Sequence, residues 1–355
     1  MKKILLHQVV YASGGPNAVL DSIASSYLKD KYEFERLYET GACGYNPFAA
    51  IRFVRKYRKE MNKSGADLIY INGLHYNGFL ITLAAKLSHI KKIAVCIHGS
   101  DWDNPNKSLR KKLLMYFFEP LTVRMADAMV TVCKNELKCG ALRLGGHGNI
   151  FGEVYNQFPG IDFDSYEYGT FRRSLGIPDD KIVVTNVGRC TKFKGHKYLM
   201  DAISSADDSD FVFVIVGGGE YEEKYRERFP DRINNGSLFV LGNRTDVYSI
   251  LRDSDVFVFP TLNENHSIAL MEAVNMRCAV ICTNVGGNPE VIDDGETGIV
   301  IPAHDSAAIV RALYMMKDKD LREKYATKAY DVVSERFSLK NTIGKLETLF
   351  DKLLG

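Results

Sequence analysis

Short apolar runs rich in β-branched residues alternate along the chain with longer segments of helical period, and this alternation constrains the fold most. Such runs predict parallel strands that are buried on both faces, because helices cover both sides of a parallel sheet. In the first half they are Lys3–Val10, Leu68–Asn72, Ile93–His98 and Ala128–Cys133. In the second half they are Ile182–Val187, Phe211–Val216, Leu238–Leu241, Val256–Phe259 and Ala279–Cys282. The sequence therefore predicts an α/β protein.

The series of strands stops and restarts near the middle of the chain. A stretch rich in Tyr, Asp and Gly, from Pro159 to Thr170, interrupts it, and a length of 355 residues fits two domains. We predict a first domain over 1–163 and a second over 164–338, each doubly wound like a Rossmann domain. Two such domains would face each other across a cleft at the carboxyl ends of their strands, where ligands of these sheets bind.

Apolar runs, cysteines and charge exclude several classes of protein. No apolar run reaches the roughly 18–20 residues that cross a membrane, and the short run after Met1 is no secretory signal. Seven scattered cysteines without a Cys-x-x-Cys pair are typical of reduced thiols in a cytoplasmic protein. Residues 1–163 carry 22 Lys and Arg against 14 Asp and Glu, a net of +8, and the remainder carries 24 against 30, a net of −6. Unless this asymmetry is chance, it indicates an anionic partner of the first domain.

Two cations follow the first strand of the second domain. Arg189 comes directly after Gly188, and Lys194 lies five residues further on, before Gly195. From the carboxyl end of a strand both can reach one diphosphate, Arg with a planar fork and Lys as a point charge. The alternative is that both are solvated surface cations.

Two glutamates eight residues apart form a second candidate cluster. A helix beginning near Ser267 would carry Glu272 in its second turn and leave Glu264 in the preceding loop, at the positive end of the helix. Free backbone N–H groups of 265–267 would face the cleft. Because a carboxylate can accept hydrogen bonds from two hydroxyls, the pair could hold a ribose and a second sugar. Alternatively, both glutamates are solvated.

Other strand ends carry glycine turns, a histidine and paired aspartates. Gly14 and Gly15 lie between a strand and a helical stretch, where backbone N–H groups can approach a phosphate, and His98 ends another strand. No turn fits the G-x-G-x-x-G fingerprint of nicotinamide-binding enzymes. Asp101 and Asp103 form an Asp-x-Asp pair that could hold a metal. A second pair, Asp253–Asp255, precedes a buried strand and is typical of helix capping.

Taken together, these motifs resemble glycosyltransferase family 4, a group of retaining enzymes with the two-domain GT-B fold. The resemblance is strongest from Gly188 to Pro302. It lies in four blocks: Glu-x7-Glu at Glu264 and Glu272, Gly-Arg-x4-Lys-Gly at Gly188 to Gly195, the segment Gly286-Gly287-Asn288-Pro289-Glu290, and Gly14-Gly15 with His98-Gly99. Where Asn265 stands, the family commonly has glycine. Since Asn tolerates a positive φ, we expect the loop to keep its shape.

The resemblance implies a role for each charged residue. Arg189 and Lys194 would hold the diphosphate of a nucleotide sugar, Glu272 would bind its ribose, and Glu264 would bind the transferred sugar. Since the two cations supply the countercharge, no metal and no other cofactor is expected.

The resemblance also implies contacts outside these four residues. His98 would lie beside the sugar, and Gly14 and Gly15 would approach the distal phosphate. The backbone of Asn265, His266 and Ser267 would contact sugar and phosphates. The last helix, Leu339–Leu354 within 339–355, would pack back on the first domain.

The implied reaction moves a hexose-type sugar from a nucleotide diphosphate sugar, with a UDP sugar as first candidate, to a glycan or lipid-linked acceptor with retention of configuration. The expected setting is synthesis of a surface polysaccharide or glycolipid, without a nucleic acid partner. Two alternatives remain: a GT-B sugar-nucleotide epimerase or hydrolase, and a catalytically silent partner protein, against which the intact charged residues argue.

Two basic stretches of the first domain lie beside apolar residues. Six cations fall within 52–63, interleaved with Phe53, Val54 and Tyr57, and a second group at 107–112 leads into the apolar run 113–118. If helical, both stretches set cations beside an apolar face, the pattern of a helix in a membrane interface. We therefore expect peripheral docking on an anionic membrane, with a solvated helix face or a soluble anionic acceptor as alternatives.

Overall fold

Each half of the chain folds around its own parallel sheet of six strands. The computed structural model describes residues 1–10, 15–100, 102, 108–146, 148–206 and 210–355, which form two units, 1–157 with 339–355 and 158–338. The strands are β1 (Lys2–Val9), β2 (Tyr32–Glu39), β3 (Leu68–Asn72), β4 (Lys92–Ile97), β5 (Ala128–Thr131), β6 (Ile150–Glu153), β7 (Ile182–Val187), β8 (Phe211–Val216), β9 (Leu238–Val240), β10 (Val256–Phe259), β11 (Ala279–Thr283) and β12 (Ile299–Ile301).

The helices flank these strands and are, in chain order, α1 (Gly15–Ser25), α2 (Pro47–Ser64), α3 (Tyr76–Lys86), α4 (Leu109–Leu113), α5 (Glu119–Met125), α6 (Gly140–Gly145), α7 (Thr170–Leu175), α8 (His196–Ser205), α9 (Glu220–Arg228), α10 (Pro230–Asn234), α11 (Val247–Arg252), α12 (Ile268–Asn275), α13 (Asn288–Val291), α14 (Ser306–Met315), α15 (Lys319–Arg336) and α16 (Leu339–Leu354). A π-helical stretch, Leu114–Phe118, joins α4 to α5.

The first unit has the strand order β2-β1-β3-β4-β5-β6. The chain runs from β1 to β2 on one side and returns to β3 on the other, so the switch point lies between β1 and β3. One face packs on α2, α3 and α5, and the other packs on α1 and α16. On the face that carries α1 and α16, the ring of Phe350 in α16 lies edge-on to Tyr32 (5.7 Å between centroids) and Tyr70 (6.0 Å). These contacts attach the last helix to the first sheet.

The second unit has the strand order β12-β11-β10-β7-β8-β9, with its switch point between β7 and β10. Its strands are buried on both faces: one core cluster includes Phe211, Phe213 and Val258, and another includes Val183 and Val214. The predicted α/β class is therefore confirmed, as two Rossmann-like domains, each with helices on both faces of a parallel sheet.

All nine predicted strands are present, with ends within two residues of the prediction. The sequence missed β2, β6 and β12, which are three of the edge strands. An edge strand is only partly covered, so it does not need a continuous apolar run. β2, for example, reads Tyr-Glu-Phe-Glu-Arg-Leu-Tyr-Glu and alternates in burial.

The division between the units falls at Gln157–Phe158, six residues before the boundary expected from the sequence. The segment after it is attached to the second unit by backbone bonds. Phe158 N–H donates to the carbonyl of Phe337 (2.9 Å), and Ile161 N–H donates to the Asn275 side chain (3.1 Å). These contacts are distant in sequence, so composition alone does not reveal them.

The basic stretch at 52–63 is helical, as the membrane hypothesis requires, but its apolar residues are placed differently. Val54 and Tyr57 are buried, and Phe53 packs against the same core, so none of the three lies on the exposed face with the cations. The apolar residues exposed on α2 are Phe48 and Ile51. Over the described ranges, no helix is both long and apolar enough to span a bilayer.

Candidate functional site

The switch point of the second sheet brings together the loops that follow β7 and β10. Two residue pairs join these strands, Val256 with Val184 and Phe257 with Thr185. Beyond them, the side-chain amide of Asn186 donates to the carbonyl of Val258 (2.8 Å), which joins the strands where their backbones diverge. The carboxyl edge of a doubly wound sheet at this position is where such folds bind ligands.

Arg189 stands in the loop directly after β7. Its side chain is exposed, and within the described part of the chain its guanidinium makes no ion pair. Its carbonyl lies 3.2 Å from Nε2 of His196, a ring whose burial lowers its pKa to about 4. His196 is therefore neutral at pH 7. It holds the Arg189 backbone and leaves the guanidinium available for an anion.

Lys194 ends a 3₁₀ turn, Lys192–Lys194, that lies against the loop after β10. The N–H of Leu262 donates to the carbonyl of Phe193 (2.8 Å). Gly195 has a φ of +74°, and a Cβ there would lie 1.8 Å from the carbonyl oxygen of Pro260, so no other residue fits. The two loops thus pack main chain against main chain.

This packing joins Lys194 to Glu264, two candidates that are 70 residues apart. Nζ of Lys194 lies 2.5 Å from Oε2 of Glu264 and 5.0 Å from the ring centroid of Phe259. The side chains keep 19% and 16% of their exposure, so solvent reaches both. The lysine expected to hold a diphosphate and the glutamate expected to hold a sugar are therefore each other's counterion in this structure.

A glycine from the next loop fixes the backbone around Glu264. A Cβ on Gly286, whose φ is +58°, would lie 1.6 Å from the carbonyl oxygen of Glu264, and Gly287 N–H donates to the carbonyl of Asn265 (2.8 Å). Asn265 does not use its tolerance of a positive φ, because its φ is not positive, and the left-handed conformation falls on Gly286. The expectation of a free N–H at Asn265 is wrong, since this group lies 3.3 Å from Oε1 of Glu264.

The second glutamate lies on α12, as predicted. Ser267 is the N-cap, its hydroxyl accepts from the N–H of Leu270 (3.3 Å), and Glu272 falls in the second turn. Burial raises the pKa of the Glu272 carboxyl, and a hydrogen bond from the hydroxyl of Tyr248 to Oε1 (2.8 Å) opposes that rise. Sequence reasoning missed Tyr248, because no local pattern in α11 marks it.

His266 lies in the turn before α12 with its side chain directed into the protein. Its ring is buried and packs edge-on to Phe337 (4.7 Å between centroids), and burial lowers its pKa to about 3. The ring is therefore neutral at pH 7 and lies within the core. Any ligand contact at this position falls to the backbone, as the resemblance implies.

His98 belongs to the other unit, at the carboxyl end of β4. Its Nε2 lies 3.1 Å from Oδ1 of Asn72, and the amide of Asn72 donates to the carbonyl of His7 (3.3 Å) across the switch point of the first sheet. This bonding makes Nε2 the protonated nitrogen of His98. Burial lowers the pKa of the ring to about 4, so it is neutral at pH 7.

Two further predictions concern loops near strand ends. Gly15 begins α1, whereas Gly14, Asp101 and Asp103 lie outside the described residues. The capping interpretation of Asp253 is confirmed. Its buried carboxylate accepts from the backbone N–H groups of Gly169 (2.6 Å), Phe171 (2.7 Å) and Arg172 (3.0 Å) at the start of α7.

The second unit thus places two cations and two carboxylates around one edge of its sheet. Such a set can bind an anion beside a polyhydroxylated group, since cations pair with phosphates and carboxylates accept from hydroxyls. The sequence named all four residues as candidates. It did not indicate that the glycines hold the loops or that Tyr248 bonds to Glu272.

Comparison with known proteins agrees with this chemistry. Residues 168–332 match the family model described as "Glycosyl transferases group 1". An Escherichia coli protein named UDP-Gal:alpha-D-GlcNAc-diphosphoundecaprenol alpha-1,3-galactosyltransferase is 24% identical over 308 residues, which are 82% of this chain and 77% of that protein. D-inositol 3-phosphate glycosyltransferase of Corynebacterium glutamicum is 30% identical over 215 residues, which are 56% of this chain and 51% of that one.

Solved structures share the fold over the whole chain. Anabaena Alr3699/HepE in complex with UDP superposes with a TM-score of 0.78 at 18% identity, covering 99% of this chain and 100% of that one. The same Anabaena protein in complex with UDP-glucose gives a TM-score of 0.77. Fold, family segment and named relatives together support a glycosyltransferase with the GT-B fold, and therefore an enzyme.

Proposed function

We propose that the protein is a retaining glycosyltransferase of family 4 that moves a hexose-type sugar from a nucleotide diphosphate sugar to a glycan or lipid-linked acceptor. The observation that carries this proposal is the pairing of Lys194 with Glu264 at the switch point, beside Arg189. A cation and a carboxylate in contact suit a ligand in which a phosphate adjoins a sugar. UDP sugars are the first donors to test, because the Anabaena structures hold UDP and UDP-glucose.

The proposed reaction assigns the growing charge to the two cations. The bond between the anomeric carbon and the phosphate oxygen breaks, and the acceptor oxygen bonds to the same face of the sugar. Because the acceptor enters on the face that the phosphate leaves, configuration is retained. The acceptor proton moves to the departing phosphate oxygen. Negative charge grows on the diphosphate, and Arg189 and Lys194, held by their loops before the reaction, stabilise it more in the transition state than in the ground state.

Donor binding then exchanges the partners of the ion pair. The ammonium group of Lys194 then also donates to the diphosphate, and Glu264 accepts hydrogen bonds from hydroxyls of the transferred sugar. Glu272 binds the ribose, and the backbone at 265–267 contacts sugar and phosphates.

A panel of nucleotide sugars tests the proposal. UDP-glucose, UDP-galactose, UDP-N-acetylglucosamine and GDP-mannose are incubated with the protein, with and without an alkyl glycoside or lipid diphosphate-linked acceptor. We expect release of nucleotide that depends on the acceptor. NMR of the product should show the same anomeric configuration as in the donor. Acceptor-independent release identifies a hydrolase, a changed sugar nucleotide identifies an epimerase, and no turnover leaves a silent partner protein.

The same assay tests whether a metal is needed. Activity is expected to persist in excess chelator, because Arg189 and Lys194 are assigned the countercharge. Loss of activity that Mg²⁺ or Mn²⁺ restores would contradict this assignment. Asp101 and Asp103 would then be the candidate metal ligands.

A lipid-linked acceptor calls for contact with a membrane, and the first unit offers a surface for it. The exposed face of α2 carries Phe48, which is 76% exposed, and Ile51 beside a row of exposed cations, Arg52, Arg55, Lys56, Arg58, Lys59 and Lys63. In the π-helical stretch and the residue before it, Leu113, Tyr116 and Phe117 are exposed. α3 packs against both elements. We propose that this surface docks on anionic lipid at the inner face of the membrane.

Vesicle co-sedimentation tests the docking. Binding is expected with vesicles that contain phosphatidylglycerol, is expected to fall with added salt, and should weaken when Arg55 and Lys59 are changed to Ser. The control removes the same charge from the second unit, at Lys197 and Lys324. Equal binding to phosphatidylcholine vesicles would contradict the proposal and favour a soluble acceptor.

A further inference from the structure

Glu272 is half-buried and has one polar partner in the part of the chain that the structure describes. It lies in the second turn of α12, and Tyr248 donates to its Oε1 over 2.8 Å. Among the described residues no other group is hydrogen-bonded to this carboxylate. Oε2 and the remaining lone pair of Oε1 are therefore left to accept from something else. A half-buried carboxylate with unused acceptors can take further hydrogen bonds from a ligand.

Tyr248 is itself held in place by the segment before α7. It is the second residue of α11, and its ring lies edge-on to Tyr166, with 5.9 Å between centroids. The carbonyl of Tyr166 accepts from Nε of Arg252 (3.2 Å), whose guanidinium lies 3.8 Å over the ring of Phe163. These contacts hold both the ring and the neighbouring backbone, and the hydroxyl of Tyr248 donates to Oε1 of Glu272.

The hydrogen bond has a chemical effect as well as a geometric one. Burial favours the neutral form of Glu272 and raises its pKa, whereas donation from Tyr248 favours the carboxylate and lowers it. Burial and the nearby Glu272 charge raise the pKa of Tyr248, so the phenol stays a donor. The titratable groups that face the carboxylate are Tyr248 from α11 and, behind it, Tyr166. In the described ranges, α13, α15, β10 and β11 add no charged group that acts on its pKa.

We propose that Tyr248 is a positioning residue, which holds Glu272 as an oriented carboxylate with Oε2 directed to a pair of ligand hydroxyls. The ligand class is a compound with vicinal hydroxyls next to an anionic group, as in a nucleoside diphosphate. The assignment of those hydroxyls to the ribose rests on the proposed function, whereas the effect of Tyr248 on Glu272 does not.

Two variants separate this role from simple packing. Tyr248→Phe removes the hydroxyl and keeps the ring against Tyr166. Tyr166→Phe removes a hydroxyl from the other ring of the same contact and leaves the bond to Glu272 intact. Both should fold with the thermal stability of the parent to within a few degrees, since each keeps its ring.

The first readout needs no ligand. The ¹³C carboxyl signal of Glu272, identified by its loss in Glu272→Gln, is titrated by NMR in the parent and in both variants. Its midpoint is expected to move to higher pH in Tyr248→Phe and to stay in place in Tyr166→Phe. An unchanged midpoint in Tyr248→Phe would overturn the inference, whatever the protein binds.

The second readout is calorimetric titration with UDP between pH 5 and 8. Tyr248→Phe is expected to weaken UDP affinity about twofold to threefold at pH 7, less than removal of the carboxylate, because the lost bond is present with and without UDP and only orients Glu272. The ionised carboxylate binds the hydroxyls, so affinity falls as the pH drops through the pKa of Glu272. Because the variant raises that pKa, its affinity should fall at a higher pH than in the parent.

The two readouts fail separately. A shifted carboxyl titration without UDP binding by the parent leaves the positioning role in place and counts against UDP as the nucleotide of the proposed function. UDP binding by the parent with the same affinity and pH midpoint in Tyr248→Phe overturns the positioning role and leaves the proposed function standing.

Discussion

The switch points of the two sheets share one device and differ in what surrounds it. In the first unit the amide of Asn72 donates to the carbonyl of His7 (3.3 Å), and in the second the amide of Asn186 donates to the carbonyl of Val258 (2.8 Å). Each asparagine joins two parallel strands where their backbones separate. Both halves therefore use the same asparagine hydrogen bond at the same point of the topology.

The surrounding loops are held in opposite ways. In the first unit a side chain holds the loop after β2: Oδ1 of Asn77 accepts from the N–H of Cys43 (3.1 Å), and its amide donates to Glu39, a carboxylate at the end of β2 that is 1% exposed and also bonds to His7. In the second unit the main chain holds the loops, through the close approaches of Gly195 and Gly286. Side chains that hold a loop are not available to bind a ligand. Where glycine contacts hold it, charged side chains such as Lys194 and Glu264 stay accessible to a ligand.

Removing Glu39 should break the first unit's arrangement at the greatest cost. Glu39→Ala leaves the Nε2–H of His7 and the amide of Asn77 without their buried acceptor, so unfolding free energy should fall by about 3–5 kcal/mol. The measurement is urea denaturation followed by circular dichroism. The control is Glu35→Ala, which removes a 44% exposed partner of Lys3 and should cost at most about 1 kcal/mol. Equal losses for the two variants would contradict the comparison.

Removing the second unit's cations should affect catalysis and spare the fold. Lys194→Ala and Arg189→Ala should each lower kcat by about 10²–10³, the scale for one lost donor at a developing charge. Steady-state kinetics with the donor found in the panel measures this. Lys192→Ala, from the same turn, is the control and should be close to the parent. Normal turnover by Lys194→Ala would refute its assignment to the diphosphate.

A methyl group on Gly286 should test whether the main chain holds the Glu264 loop. Gly286→Ala adds a Cβ that would lie 1.6 Å from the carbonyl oxygen of Glu264, at a φ of +58°, so it should cost about 2–3 kcal/mol and weaken donor binding. Gly295→Ala is the matched control, because its φ is +72° and no atom lies within 4 Å of the added Cβ. It should cost about 1 kcal/mol and leave donor binding unchanged. Similar losses in both variants would show that backbone strain, and not the loop contact, dominates.

The smallest expected effect separates the two glutamates within the second unit. Glu272→Ala should weaken binding of free UDP by about tenfold, because a ribose contact acts on nucleotide and nucleotide sugar alike. Glu264→Ala should keep UDP affinity and lose turnover, since its proposed contact is to the transferred sugar. Calorimetry with UDP checks both, and equal losses of affinity would refute the division of roles.

Features that depend on local pattern could be predicted from the sequence alone. Continuous apolar runs identified nine of the strands, because a strand that is buried on both faces needs apolar residues at successive positions. The spacing of Ser267 and Glu272 placed the glutamate in the second turn of α12, since a cap and a helical period are local properties. The same motifs named Arg189, Lys194 and Glu264.

The contacts between distant groups could be known only from the folded chain. The burial of Val54 and Tyr57, the edge strands β2, β6 and β12, and the bond from Tyr248 to Glu272 depend on residues that are distant in the chain. So do the glycine contacts that place Lys194 against Glu264. A sequence pattern reports the environment of one element at a time, whereas an ion pair between two loops exists only after the sheet has set their separation.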